Sequence, residues 1–421
     1  MKHEERIQAC HSLITEEAVK ETLKAHKGSE ARLTSWKIED FTSKGDNYAS
    51  VVSSVQVDFS LNGNDDHISY IVKINPCLGI ENFEEMTHTI FLKEAEFYLK
   101  LLPRLNSVLQ EENLSILALP QCYYGTLEKN KELIFLEDLR PRGFKMFDRR
   151  KGLDVAHTSL VLKELAKLHA ASLLLQKKEP NYFEDTLLHK GWANMTNDGS
   201  GIFTMFEGVM DTAVLMLKKL GGYESAISWT ESTKSKLQEI FEKQMEPCKH
   251  QVILHGDAWN NNLLFKYSED GAPLEVMLID LQICRRESFA VDLNYLLYTS
   301  LTGDVRKPNL KTFLETYRSQ FNAVMEAGGG DALLSETEML EEFRSKNALG
   351  AIFSMMIIGA LLMEPEDVPD FSSDGSGEND VEKAMAELRK KNLEMIDTNP
   401  LMRPRFLSVF DELLEAGIIP S

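Results

Sequence analysis

The segment that most restricts how this chain can fold lies between His255 and Gln282. It begins with His255-Gly256-Asp257-Ala258-Trp259-Asn260-Asn261-Asn262, whose glycine and asparagines favour a loop. It closes with Val276-Met277-Leu278-Ile279, an apolar strand that ends on Asp280 and runs into Leu281-Gln282. Each piece alone is ordinary turn or strand-end composition. Together they put two carboxylates and a carboxamide on one loop and the end of one strand.

That set of groups has a chemistry. Phosphoryl transfer through a loose transition state asks for positioning and charge neutralisation more than covalent participation. Asp257 is suited to accept or orient the proton of an acceptor hydroxyl. The turn from Ala258 to Asn261 directs the carboxamide oxygen of Asn262 toward a metal, with Asp280 as the principal magnesium ligand. Magnesium keeps several waters and takes one or two carboxylates plus substrate phosphates, so one Asp and one Asn suffice.

The chain has 421 residues, 43% hydrophobic and 27% charged, enough for two lobes or a large single domain with a buried core. Forty-six basic residues against 66 acidic ones leave a formal charge of -20. Such a surface repels phosphate backbones and anionic membranes, which argues against a nucleic acid partner. Cys10, Cys77, Cys122, Cys248 and Cys284 are odd in number and show no Cys-x-x-Cys spacing, as expected of reduced thiols in a cytoplasmic protein. The start, Met1-Lys2-His3-Glu4-Glu5-Arg6, leads into no uninterrupted apolar core, so no signal peptide is expected. Ala348 to Met363 is strongly apolar but short for a membrane span, and suits a buried core helix. No membrane segment is expected, and the sequence sets no oligomeric state.

Periodicity predicts an amphipathic helix over residues 11–30, with Leu13, Ile14, Val19 and Leu23 on one stripe. Strands are expected at Ser35–Phe41, Ala49–Leu61 and Ile68–Asn75. The last two are separated by a hairpin signal beginning at Asn62-Gly63. Gly45-Asp46-Asn47 is a turn whose backbone amides could lie over phosphates. A helix from Thr89 to Leu102, ended by Pro103, precedes an apolar strand at Glu132–Leu139 that turns acidic. From Asp154 onward the pattern is mostly helical, with closing helices at Val381–Lys391 and Pro404–Leu414. Gly328-Gly329-Gly330 reads as a helix terminator, and Glu364–Glu382 as an acidic loop. Strands with one helix, then a helical mass, predict an α+β bilobal protein: a small β-rich lobe over residues 1–138 and a large helical lobe over 139–421. The crevice between lobes is the expected place for a ligand.

A nucleotide site makes further demands upstream. Lys73, in Tyr70-Ile71-Val72-Lys73-Ile74, lies on the third expected strand, where a lysine reaches the α and β phosphates of ATP. Its partner should be a Glu on the following helix. Glu94 and Glu96 are both candidates but cannot share a face; Glu94 is preferred because Phe91 and Tyr98, three and four positions away, mark the side that packs on the sheet. Glu137-Asp138-Leu139 has the position of a hinge, with backbone groups of Glu137 and Leu139 offered to the adenine edge.

As a co-linear series these motifs resemble the ecdysteroid kinase-like family, also described as the CHK kinase-like group, in the superfamily of choline, aminoglycoside and eukaryotic-type protein kinases. The series comprises Gly45-Asp46-Asn47-Tyr48-Ala49-Ser50, Phe91 to Pro103, Glu137-Asp138-Leu139, Arg149 with Gly152-Leu153-Asp154, and Leu165-Ala166-Lys167-Leu168-His169-Ala170. The His255 segment and Asp292-Leu293 through Thr302-Gly303 complete it. The resemblance implies a protein-kinase-like fold and an ATP- and Mg2+-dependent transfer to a small-molecule hydroxyl acceptor. It implies that Asp257 is the catalytic carboxylate, Asn262 and Asp280 the metal ligands, Lys73 the phosphate lysine with Glu94 beside it, and Gly45, Asn47 and Ser50 the phosphate loop. Leu281-Gln282 stands where the family often has Phe-Gln. Asp292 is implied as a buried brace of the catalytic loop, and His255 and His169 are expected to be structural.

The implied acceptors are hydroxylated small molecules, with ecdysteroids and other steroid alcohols leading and hydroxylated xenobiotics beside them. Trp259, Tyr295, Tyr298, Phe353, Met355 and Met356 could supply an apolar wall, although such spacing equally suits a core. Two other readings stay open. One is a choline or amino-alcohol kinase, which needs an aromatic and acidic pocket. The other is an inactive kinase-shaped binding protein, whose expected mark is loss of Lys73, Asp257, Asn262 or Asp280; all four are present.

Overall fold

The computed structural model describes residues 3–40, 51–75, 81–184, 186–189, 202–244, 246, 248–364 and 378–420. Gly45, Asn47 and Ser50, and residues 365–377 of the acidic loop, lie outside the described residues. The chain is α+β and divides into two compact units. The first comprises Met1–Pro103, Leu119–Gly143 and Pro369–Ala384; the second comprises Arg104–Ala118, Phe144–Val368 and Met385–Ser421.

The first unit is built on a five-stranded antiparallel sheet in the order β1-β2-β3-β5-β4. Its strands are β1 (Arg32–Asp40), β2 (Val51–Leu61), β3 (Asn64–Ile74), β4 (Cys122–Thr126) and β5 (Leu133–Glu137). Asn62 and Gly63, at φ 53° and 83°, make the two-residue turn between β2 and β3, a geometry that fits the twist of a hairpin. Alternation then sorts the side chains: Val55, Val57 and Phe59 of β2 and Tyr70, Val72 and Ile74 of β3 join one buried cluster, so Lys73 belongs to the opposite face.

Helices α1 (His3–His11) and α2 (Glu16–Lys27) supply Cys10, Ile14, Ala18, Val19 and Leu23 to that cluster. The single helix expected over 11–30 is therefore two. Thr15 accepts the Ala18 N–H at 3.2 Å and caps α2 with extended backbone, which a continuous helix could not provide.

Pro103 does not end its helix either. Helix α3 (Glu81–Glu96) widens into a π turn at Phe97–Leu101 and continues as α4 (Leu102–Glu111), with Pro103 inside it. A proline ring clashes with the carbonyl four residues earlier in a regular α-helix, and a wider turn at that point removes the regular register.

The second unit is mostly helical. Its long members are α5 (Val155–Lys178), α6 (Ile202–Leu220), α9 (Phe289–Ser300), α10 (Gly303–Ala327), α12 (Asn347–Leu362), α13 (Glu378–Thr398, from Met385 onward) and α14 (Met402–Glu415). Shorter α7 (Glu224–Lys234), α8 (Leu237–Gln244) and α11 (Glu336–Ser345) lie between them. Helix α10 ends as expected at the glycine triplet, with Gly329 at φ 60°. Small β-elements are inserted among the helices: β6 (Lys145–Met146), β8 (Leu263–Tyr267) and β9 (Pro273–Leu278) form one antiparallel sheet, and β7 (Gln251–Leu254) pairs with β10 (Arg285–Ser288). Among the described residues no single helix is long and apolar enough to cross a membrane. The pair α11 and α12 passes on composition, but it is bent by 51°, and Leu349, Ile352, Phe353 and Leu361 of α12 are buried.

Candidate active site

The second unit gathers Asp257, Asn262 and Asp280 by backbone connectivity. Strand β7 ends at Leu254, and the chain turns at Gly256 with φ 84°. A Cβ there would sit 2.3 Å from the Ile283 carbonyl oxygen and 2.9 Å from Arg285 Nη1, so only glycine fits. A short 3-10 turn at Asn260–Asn262 leads into β8. Leu263 pairs with Leu278 across β8 and β9, and the Ile279 N–H donates to the Asn262 carbonyl at 3.0 Å. Asp280, the next residue, is thereby fixed beside Asn262. It takes φ 68°, a left-handed backbone that costs a non-glycine residue energy and that concentrates at functional sites.

The loop is braced from beneath. Asp292, fully buried on α9, accepts the His255 N–H at Oδ2 (2.8 Å) and the Gly256 N–H at Oδ1 (2.9 Å). His169 Nε2 lies 3.1 Å from the same Oδ2, and its Nδ1 lies 2.8 Å from the Tyr317 hydroxyl. Burial pushes the Asp292 carboxyl up, but the His169 hydrogen bond and charge and the Gly256 N–H outweigh it and hold the group below its ordinary value. His255 is buried and its pKa is lowered by that burial, so it is neutral. Its tautomer follows from its partners. Nδ1 accepts the Asp257 N–H at 3.3 Å, and Nε2 donates to the Ile279 carbonyl at 3.0 Å. His255 thus ties the loop to the end of β9, and both of its ring nitrogens are engaged.

Asp257 is held at both carboxylate oxygens. Oδ1 accepts from the Tyr295 hydroxyl at 2.6 Å and Oδ2 from Asn262 Nδ2 at 2.9 Å. The same Asn262 nitrogen also donates to the Asp257 main-chain carbonyl at 2.9 Å. Burial raises the Asp257 carboxyl; the Tyr295 hydrogen bond pulls it back, the Asp280 charge raises it again and Asn262 lowers it, leaving it pushed up to about 6. With Nδ2 committed to Asp257, Asn262 presents its Oδ1 as an acceptor. Together with the Asp280 carboxylate this is a hard oxygen donor set of the kind magnesium takes.

The first unit carries the other predicted residues. Lys73 Nζ lies 2.8 Å from both Oε1 and Oε2 of Glu94, with side chains 9% and 2% exposed. Glu96 instead pairs with Lys100 at 3.2 Å. Phe91 and Tyr98 are buried on α3 and the π turn, in line with the face that selected Glu94. Glu137 forms an ion pair with Arg142 at 2.8 Å, and its backbone N–H donates to the Gln121 carbonyl at 2.8 Å. Leu139 is buried and opens the 3-10 turn at Arg140–Arg142. Asp138 between them carries a role the sequence did not suggest: it accepts from Ser69 Oγ at 2.5 Å, from Arg140 N at 3.0 Å and from Arg140 Nη2 at 2.6 Å, so it pins the segment after β5 to β3.

Tyr295 is the other residue whose contact was missed. Sequence reasoning placed it only in a possible apolar wall. The available signal was its spacing, one helical turn after Asp292 and hence on the same face.

Residues 44–329 match the ecdysteroid kinase-like family. No curated protein matches the chain. Among solved structures, the chain is similar to an ethanolamine kinase of Plasmodium vivax, at 10% identity and a TM-score of 0.34 over 88% of this chain and 84% of that one. It is also similar to a thermostable mutant of an aminoglycoside phosphotransferase (11% identity, TM-score 0.26, 90% and 99% covered). A third similar structure is a glucosamine kinase in complex with glucosamine, ADP and inorganic phosphate (10% identity, TM-score 0.30, 96% and 98% covered).

Proposed function

Because the chain belongs to the ecdysteroid kinase-like family, we propose that it is a cytoplasmic kinase that uses ATP and magnesium to phosphorylate a hydroxyl of a small molecule. Ecdysteroids, other steroid alcohols and hydroxylated xenobiotics are the leading acceptors. The observation that carries this reading is the Asp257 carboxylate, buried, held at both oxygens and set on a loop braced by Asp292.

In this reading Lys73, fixed by Glu94, binds the α and β phosphates of ATP, with Gly45, Asn47 and Ser50 as the phosphate loop. Backbone groups at Glu137 and Leu139 receive the adenine. Asp257 accepts a hydrogen bond from the acceptor hydroxyl and orients its oxygen for attack. As the new P–O bond forms and the bond to ADP breaks, the hydroxyl proton passes to Asp257. Its elevated pKa suits a group that must be ionised before transfer and hold a proton afterwards. Asn262 Oδ1 and the Asp280 carboxylate would hold magnesium, which when bound neutralises phosphate charge.

The test is transfer from labelled ATP with magnesium to a panel of ecdysteroids, choline, aminoglycosides and hydroxylated xenobiotics, with Asp257→Asn and Asp280→Ala in parallel. Transfer that survives both substitutions refutes the site. Transfer to choline and to no steroid replaces the acceptor class with amino alcohols, and no transfer by the intact protein favours a binding protein.

A further inference from the structure

Helix α9 does two things for the candidate site from one face. Asp292, in its first turn, takes the backbone N–H groups of His255 and Gly256. Tyr295, one turn later, takes the functional carboxylate itself, with its hydroxyl 2.6 Å from Asp257 Oδ1. Tyr295 is 4% exposed, and its ring packs on Phe353, with centroids 4.8 Å apart and planes tilted by 58°. A phenylalanine would satisfy that packing equally well. The hydroxyl is the part that packing does not explain.

A carboxylate held at one oxygen can still rotate about its Cβ–Cγ bond. Held at both, its plane is set. Asn262 supplies the contact at Oδ2 and Tyr295 the contact at Oδ1. An ionised carboxylate offers about four lone-pair sites, so acceptor capacity remains after these two bonds and the Trp259 side-chain contact, now pointing in fixed directions. The phenol stays protonated throughout, since burial and the neighbouring Asp257 charge raise its pKa well above the ordinary tyrosine value, and it therefore always donates.

We infer that Tyr295 is a positioning residue for phosphoryl transfer: by locking the plane of Asp257 it aims the remaining carboxylate lone pairs at the acceptor hydroxyl. The inference rests on the reading of Asp257 as the acceptor-aligning carboxylate. Misplacement by a fraction of an ångström is enough to slow such a step, because the rate depends on a near-attack geometry.

The experiment compares the full-length wild type with Tyr295→Phe, Asp257→Asn and Phe353→Leu. Each is assayed with 20-hydroxyecdysone as acceptor and, separately, for hydrolysis of ATP by water. Tyr295→Phe should lower kcat roughly 10- to 100-fold, with KM for ATP unchanged and the thermal midpoint close to wild type. Phe353→Leu removes the ring contact and keeps the hydroxyl, so it should lower the thermal midpoint by more than Tyr295→Phe does, which separates the packing of the ring from the role of its hydroxyl. A Tyr295→Phe enzyme with wild-type kcat, beside an inactive Asp257→Asn, overturns the inference and leaves the assignment of Asp257 standing. Activity in Asp257→Asn, or a wild type inactive toward water and toward every acceptor of the panel above, removes that assignment and the inference with it. If Tyr295→Phe does not fold, 4-fluorophenylalanine at position 295, which keeps the ring and fills the place of the hydroxyl without a proton to donate, replaces it. A changed kcat at constant KM for ATP then supports the role, and an unchanged kcat overturns it.

Discussion

Removing Lys73 should take the cation away from a buried carboxylate, and the structure sets the size of the effect. Glu94 is 2% exposed at its side chain and receives Lys73 at 2.8 Å on both oxygens. Taking away one partner of a buried pair costs about 3–5 kcal/mol, most of it from the carboxylate left in a poorly solvating interior. Lys73→Met keeps the length and apolar stem of the side chain while removing the cation. At about 1.4 kcal/mol per factor of ten, the loss corresponds to roughly two to nearly four powers of ten in the local opening equilibrium. Amide hydrogen exchange followed by mass spectrometry reads this directly on peptides from β3 and α3, where exchange should speed up by that factor if it proceeds through opening of the pair. Adding Glu94→Leu removes the buried carboxylate, and the double variant should regain most of the lost protection without regaining kinase activity. Unchanged exchange in Lys73→Met would show that the pair is not buried and formed in solution. A double variant as fast as the single one would show that the loss does not come from the Glu94 carboxylate.

Three further outcomes follow from particular contacts. Gly256→Ala puts a methyl group 2.3 Å from the Ile283 carbonyl at φ 84°; the loop must move, and calorimetry should show a thermal midpoint several degrees lower together with lost activity. His250 is buried, with Nε2 3.1 Å from the Ala332 carbonyl, and its pKa is lowered by burial and then by Lys249. The unfolded chain therefore binds that proton first, so this contribution to stability is present above about pH 6.5 and is lost as pH falls from there toward the folded-state value. Urea unfolding midpoints of wild type and His250→Gln should converge over that interval; midpoints that diverge on acidification contradict the sign. Ser335 forms a reciprocal capping box with Glu338 at the start of α11, so Ser335→Ala should cost about 1 kcal/mol in urea titrations, whereas a change of a few tenths would mean that the cap is already replaced by solvent.

Some of these features were readable because they are local. Lys73 could be placed on its strand, and Glu94 preferred to Glu96, because two- and 3.6-residue periodicities decide which side chains share a face. The Asn62-Gly63 turn and the glycine stop of α10 were readable for a similar reason: only certain residues adopt positive φ cheaply. The errors were also local rules, overridden by neighbours. Pro103 predicts a helix end, but the π turn at Phe97–Leu101 lets the helix continue through it. A continuous apolar stripe over 11–30 predicts one helix, but the Thr15 cap divides it.

Asp257, Asn262 and Asp280 were legible as a set because the loop and strand that carry them are close in the chain and linked by the β8–β9 hairpin. Sequence by itself therefore determined the α+β class, the residues available for chemistry and the family. Tertiary structure decided how those residues are held: that Asp292 and His169 lie beneath the loop although 123 positions apart, that His255 is a neutral connector with both ring nitrogens engaged, and that Tyr295, legible only as an aromatic on an apolar helix, turns its hydroxyl onto Asp257. The physical reason is that periodicity reports which face a side chain occupies, whereas the direction of a hydroxyl or carboxylate within that face depends on partners supplied from distant parts of the chain.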